Sequence, residues 1–162
     1  MPEENHLVGL RGNLLRLGLG ARNWLLSQLM DDITLLSWEP PDGGRSVSEI
    51  LEHISWTVSI VCSKIADDYG IRLEEMDEPS DQSDYESFAF PINSAYDLFK
   101  QLCTKLDDSM MAERTTLPPP ARLREGTVET ILRVMGGFHT VHHAGQVALT
   151  LRRAKDAIEN MT

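Results

Sequence analysis

The most constraining feature of this 162-residue chain is an apolar seam that begins directly at a helix-start signal. The segment Ser46-Val47-Ser48-Glu49 fits a capping box, in which the serine hydroxyl and the glutamate carboxylate each satisfy an otherwise unpaired backbone amide. The apolar residues that follow recur every three or four positions, and this period places them on one face of an α-helix. The members of that seam are Val47, Leu51, Ile54, Val58, Val61 and Ile65. Such a helix needs other elements against which it can bury this face.

Three further segments show helical periodicity, so the sequence predicts an all-α fold. The first covers about Glu4–Met30, and glycines near Gly18–Gly20 allow a break because each interior glycine costs a helix about 1 kcal/mol relative to alanine. The third helix has its apolar stripe within Ala95–Leu106, with Ser94 as the expected cap. The last is expected over about Thr127–Asn160, after a proline-rich loop. No segment longer than a few residues alternates as a strand does.

The negative charge of the chain is concentrated in one segment. The net charge is −10, and residues 67–87 contain nine acids and one arginine, which leaves only −2 for the remainder. We expect this segment to belong to a solvated connection over about Asp67–Asn93, long enough to be a crossover between the second and third helices. The sequence thus predicts a four-helix bundle with a long acidic crossover, in one domain over residues 1–162. Without a basic stripe, nucleic acid is not an expected partner.

The remaining bulk features favour a cytoplasmic protein. No apolar run approaches the roughly 18 residues of a membrane span, so no membrane partner is expected. The acidic start, Met1–Leu10, lacks the basic region of a secretory signal. The two cysteines, Cys62 and Cys103, lie far apart within apolar helical patterns. We predict that both are small buried hydrophobic residues and that neither forms a disulfide or acts as a catalytic thiol.

The histidines carry the candidate chemistry. His139 and His143 are four residues apart on the last helix, where their Cβ atoms would lie about 6 Å apart on one face. Both rings could therefore bind one metal ion, although the spacing also allows a pair with His142, or two surface residues. A third ligand must come from elsewhere, and His53 is the candidate. It lies beside the apolar seam of the second helix, where a histidine needs either a metal or a hydrogen-bond partner.

Several other residues could support the histidine site or shape the last helix around it. Glu49, one turn before His53, could orient that ring, although Glu49 already has a capping role. Gln146 continues the face of the histidine pair on the last helix. The pair Gly136-Gly137 interrupts that helix and predicts either close packing or a local bend. His6, near the start of the chain, is expected to take no part in the site.

Three short blocks resemble a known family. They are Trp38–Ser46, Glu49–Ile54 and His139–Gln146, and their combination resembles the DinB-like, or YfiT-like, superfamily of metal-dependent proteins. The resemblance implies a four-helix bundle with a long crossover between the second and third helices. It also implies one metal-binding histidine on the second helix and two, spaced H-x-x-x-H, on the last. The residues that match those positions are His53, His139 and His143.

The resemblance also implies a chemistry. Three neutral imidazoles leave a divalent ion with an open position, which is the pattern of catalytic sites, and zinc and nickel both suit imidazole ligands. Characterised branches of the superfamily include transferases that use low-molecular-weight thiols such as bacillithiol or mycothiol, and a thiol-dependent isomerase. We therefore expect a metal-dependent enzyme that activates a small thiol for attack on an electrophilic substrate. His142 and Gln146 are candidates to orient that substrate, and no residue stands out as a general base.

The sequence also allows two other functions. A metal-dependent hydrolase would need no thiol, and a non-catalytic bundle would use the metal for stability or would bind a small ligand. The family resemblance also favours a homodimer that pairs through helix faces, with the leucine-rich first helix as a source of the contact.

Overall fold

Helices account for most of the computed structural model, which describes residues 7–30, 32–80 and 83–161. In chain order the helices are α1 (Gly9–Ser27), α2 (Ile33–Leu36), α3 (Val47–Asp68), α4 (Asp84–Lys105), α5 (Val128–Leu132) and α6 (His139–Glu159). A π-helical turn, Arg133–Phe138, joins α5 to α6, so these three segments make one continuous last helix. A 3-10 helix occupies Asp108–Ala112. Within the described ranges, none of the helices combines the length and apolarity that crossing a membrane requires.

A small sheet is the exception to the all-helical expectation. Strands β1 (Arg114–Thr116) and β2 (Glu125–Thr127) pair antiparallel, with Thr115 opposite Gly126. Each strand has only three residues, too few to show a recognisable alternation in the sequence. The fold is therefore predominantly helical, as predicted, with a short hairpin between α4 and the last helix.

The first helix is unbroken at its glycines. It runs through Gly18 and Gly20 without interruption, while the expected start near Glu4 lies outside the described residues. Gly18 packs directly against the ring of Phe99 on α4, and a Cβ atom there would overlap that ring. The glycine therefore permits close packing between α1 and α4 and does not mark a break.

The start of α3 agrees with the sequence in every detail. The Ser46 hydroxyl accepts a hydrogen bond from the Glu49 amide at 3.3 Å, and the Glu49 carboxylate accepts one from the Ser46 amide at 2.7 Å. Both halves of the capping box are thus present. The seam that follows is at most 3% exposed at each position, which confirms the predicted core face: Val47, Leu51, Ile54, Val58, Val61 and Ile65.

The predicted start of the third helix was wrong by eleven residues. Ser94 does not cap it, because α4 begins at Asp84 with Ser83 as its cap and Glu86 completing a second capping box. Pro91 lies inside the helix, where proline removes a backbone donor at a cost of about 3 kcal/mol. Burial of its neighbour Ile92 in the core helps to offset that cost. The connection expected over 67–93 is therefore confined to residues 69–83.

The long helices pack in a closed order around one core. Helix α3 packs on α4, α4 on α1, α1 on the last helix, and the last helix on α3. Both cysteines, Cys62 and Cys103, are free and fully buried in this core. Burial raises the pKa of the Cys103 thiol to about 12, so it stays protonated and apolar. The interpretation of the two cysteines as small core residues is consistent with this environment.

Candidate metal centre

The π-helical turn in the last helix precedes the histidine pair directly. A Cβ atom at Gly136 would overlap the ring of Phe99, and one at Gly137 would overlap Leu17 on α1. The expectation of close packing at this glycine pair is therefore confirmed. A π turn interrupts the regular ladder of backbone hydrogen bonds, and the buried Tyr96 hydroxyl bonds the Gly136 carbonyl oxygen within it at 2.6 Å. Turns of this kind frequently lie at functional sites.

The structure brings together the three histidines that the sequence singled out. The Nε2 atom of His139 lies 3.2 Å from Nε2 of His53 and 3.1 Å from Nε2 of His143. A tetrahedral zinc ion with Zn–N distances of about 2.0–2.1 Å needs nitrogens about 3.3 Å apart. The two distances to His139 have this spacing, and one ligand nitrogen from each of the three residues lies within 4.8 Å of the others. These three residues could hold a metal ion.

Hydrogen bonds between the three histidine rings explain this geometry less well than a shared metal ion does. A neutral imidazole nitrogen either carries one proton or offers one lone pair. Nε2 of His139 therefore cannot make two good hydrogen bonds, one to each neighbour, although it has two nitrogens at bonding distance. A cation shared by three lone pairs removes this conflict, because each nitrogen then points at the ion and not at another nitrogen.

Gln146 fixes the orientation of one ring. The Nδ1 atom of His143 lies 2.6 Å from Oε1 of Gln146, so Nδ1–H donates to the amide and the lone pair of Nε2 is directed to the cluster. The amide nitrogen of Gln146 donates to Nε2 of His142 at 3.2 Å. His142 is exposed and does not belong to the three-histidine cluster. In the sequence, the position of Gln146 three residues after His143 predicted that the two side chains share one helix face.

One nitrogen of His139 is left without a partner. Its Nδ1 atom is buried and makes no hydrogen bond within the described part of the chain. A buried polar group without a partner costs about 1–3 kcal/mol, so another interaction must hold the ring in place. A cation on Nε2, at the other side of the same ring, would supply that interaction.

All three rings are held neutral by their surroundings. Burial, followed by the charges of His143 and His53, lowers the pKa of His139 to about 4. Burial and then the positive charge of Arg45 lower the pKa of His53. Burial also lowers the pKa of His143, although the hydrogen bond to Gln146 opposes that effect. Neutral imidazole is the form that binds a metal, so the site need not release protons near neutral pH.

A comparison with known proteins places this site in a family. Residues 23–147 match the family model of the DinB superfamily, and this range includes all three histidines and most of the chain. The chain belongs to the DinB superfamily. The resemblance inferred from the short sequence blocks is therefore confirmed. No match was found among curated proteins or among solved structures.

In this DinB protein the Glu49 carboxylate has the predicted capping role and does not orient His53. It bonds the Ser46 backbone amide and hydroxyl, and no hydrogen bond joins it to His53 within the described ranges. The alternative pairing of His139 with His142 is not the one seen, because His143 supplies the second nitrogen. His6 lies outside the described residues.

Sequence reasoning missed the cleft beside the histidines. This cleft has a volume of about 670 Å³ and is lined by the three histidines, His142 and Gln146. Its apolar walls come from α3, from the π-helical turn and from the segment 117–123, which begins with the proline-rich loop Leu117–Pro120. Trp56 and Ile60 on α3, one and two turns beyond His53, remain 52% and 39% exposed there. In the sequence, only the large apolar side chains that follow His53 on its helix could have indicated a cleft at this position.

Proposed function

We propose that this member of the DinB superfamily is a metal-dependent enzyme that binds one divalent cation, zinc or nickel, through His53, His139 and His143. The observation that carries the proposal is that Nε2 of His139 lies 3.1–3.2 Å from Nε2 of both other histidines, at the wall of a large cleft. A bound ion would act as a Lewis acid that lowers the pKa of a thiol in the cleft. In the proposed reaction a low-molecular-weight thiol gives its proton to solvent, and its sulfur bonds an electrophilic carbon of the substrate as a leaving group such as chloride departs.

The residues of the chain have distinct parts in this proposal. The three neutral imidazoles hold the ion and leave a position open towards the cleft. Gln146 holds His143 in the tautomer that can bind a metal. The apolar walls exclude water from the substrate, which limits competing hydrolysis. His142 and Gln146 line the cleft beside the cluster, so either side chain can orient the substrate.

The composition of the cleft supports thiol transfer over hydrolysis. Within the described residues that line it, there is no aspartate or glutamate to accept a proton from an attacking water. A thiol is far more acidic than water, so it needs less help from a base once a cation is near. Hydrolysis remains the second candidate, and a bundle that uses the metal for stability alone is the third.

Metal content and turnover measured together test the proposal. The protein is purified without chelators, its metal is measured by mass spectrometry, and coupling of cysteine to monochlorobimane is followed by fluorescence. Each of H53A, H139A and H143A should lose both metal and turnover, whereas H6A should keep both. Turnover that survives in H139A would contradict the proposal. Ester hydrolysis without thiol would favour the hydrolase, and a metal that changes only the melting temperature would favour the non-catalytic bundle.

The arrangement of the chain and its assembly belong to the same proposal. We interpret α1, α3, α4 and the last helix as a four-helix bundle whose crossover is the segment 69–83.

A homodimer would not use Leu14 and Leu25 of α1, because both are fully buried inside the fold. The exposed apolar side chains on α1 and the last helix are Trp24, Phe138 and Leu149. Light scattering of an L149E variant, compared with the unchanged protein, tests whether Leu149 lies in a dimer contact.

A further inference from the structure

We propose that the cleft binds a carboxylate ligand with an apolar body, and that Arg45 and Arg122 bind its carboxylate. This inference deepens the proposed function by naming the chemical class of its substrate, and it rests on that function only for the position of the metal.

The cleft is positively charged in an acidic protein. The chain as a whole carries a net charge of −10. Among the described lining residues, Arg45 and Arg122 have permanently charged side chains, and none is an aspartate, a glutamate or a lysine. A divalent cation held by the histidines would add two further positive charges. The local charge is therefore opposite in sign to that of the molecule, and the cleft has no anionic group of its own to balance it.

The two arginines are available for a ligand. Both are exposed, and within the described ranges neither makes an ion pair or a side-chain hydrogen bond. Arg45 precedes the cap of α3, whereas Arg122 belongs to the segment 117–123, so the two charges reach the cleft from separate parts of the fold. Several other arginines already have acidic partners, as in the pairs Arg11–Asp108, Arg133–Glu129 and Arg153–Asp42.

Guanidinium groups beside an apolar wall favour a particular class of ligand. The planar fork of arginine matches the two oxygens of a carboxylate, and a cleft lined by charge of one sign concentrates ligands of the opposite sign. The walls add an apolar requirement, since Trp56, Ile60 and Met135 line the same space. A volume of about 670 Å³ suits a small organic molecule, not a simple inorganic ion. An aromatic or acyl carboxylate satisfies both requirements.

Calorimetric titration with a matched pair of probes tests this inference. Naphthalene-2-acetate and 2-naphthaleneethanol share an apolar ring system and differ in charge. We expect the metal-loaded protein to bind the carboxylate at least about fivefold more tightly than the alcohol, and R45Q or R122Q to reduce that preference by about three- to fivefold each. R124Q is the matched control, because Arg124 is exposed, lies two residues from Arg122 and does not line the cleft.

The same titrations in metal-free protein separate this inference from the proposed function. The carboxylate preference should persist there in weaker form, because both arginines remain. A protein that binds no metal but prefers the carboxylate through its arginines would contradict the proposed function and support this inference. Equal binding of both probes, binding of neither, or a preference that both R45Q and R122Q leave unchanged would overturn it. The last result would show that the metal alone attracts the anion.

Discussion

The Tyr96 hydroxyl lies 2.6 Å from the carbonyl oxygen of Gly136, inside the π-helical turn that ends immediately before His139. The same hydroxyl is 2.7 Å from Oγ1 of Thr140, one residue beyond that histidine. Burial raises the pKa of Tyr96 well above its usual range, so the hydroxyl keeps its proton and can donate. This contact ties α4 to the part of the last helix that positions two of the three clustered histidines.

Removal of that hydroxyl should weaken both the fold and the site. In Y96F the Gly136 carbonyl loses a buried donor, and we expect a loss of about 1–3 kcal/mol in unfolding free energy. Zinc affinity should fall with it, because the turn before His139 is less firmly held. Denaturant titration and zinc competition measure the two effects. Y69F is the control, since the Tyr69 hydroxyl bonds Glu113 at an exposed position. Unchanged zinc affinity in Y96F would refute the coupling.

The π-helical turn should not tolerate a larger residue at Gly136. In G136A the new methyl group overlaps the ring of Phe99, and we expect a loss of about 1–3 kcal/mol in stability. G145A is a matched control on α6, because nothing lies within 4 Å of a Cβ there. Alanine at that position should raise helix stability by up to about 1 kcal/mol. Thermal denaturation measures both, and equal effects of the two substitutions would contradict the packing described.

Replacement of Gln146 should lower metal affinity with little effect on the fold. Q146M keeps the shape of the side chain but removes the acceptor for Nδ1–H of His143. Loss of such a partner typically reduces metal affinity about 10- to 100-fold. Q146E should retain most of the affinity, because a carboxylate still accepts that hydrogen bond. Competition with a chromophoric chelator gives the affinities, and an unaltered Q146M would show that Gln146 does not orient the ring.

The metal-free protein should lose stability as the pH falls. The pKa of His139 is about 4 in the folded chain and 6.5 without its environment, so the unfolded chain binds the proton first. Its contribution is complete above about pH 6.5 and is lost on acidification towards pH 4, on the order of 2 kcal/mol after allowance for partial exposure. With chelator present, the melting temperature of wild type relative to that of H139Q should fall on acidification, because only the wild type must protonate His139. Parallel curves would contradict this account.

Local signals in the sequence predicted some elements and not others. The start of α3 follows from the Ser46–Glu49 box and the seam behind it, which need no knowledge of the rest of the chain. The start of α4 was missed although Ser83 and Glu86 form the same kind of box. Pro91 and the acidic composition indicated a loop there, and burial of the following residues outweighs both.

Local signals in the sequence likewise predicted only part of the candidate site. The spacing of His139 and His143 predicts a pair on one face, because helix geometry alone fixes that relation. That His53 meets them depends on the packing of α3 against the last helix, which the family resemblance supplied and the spacing could not. The cleft was missed because its walls come from segments far apart in sequence, among them residues 117–123. No local pattern reports such long-range contacts.

X-ray absorption at the zinc edge, on protein loaded with one equivalent of zinc, tests the central claim most directly. Convergence of His53, His139 and His143 on one ion predicts three imidazole nitrogens at about 2.0–2.1 Å. H53A should retain at most two. A spectrum with fewer than three imidazoles in the unchanged protein, or with a sulfur neighbour at about 2.3 Å from a cysteine, would contradict the account.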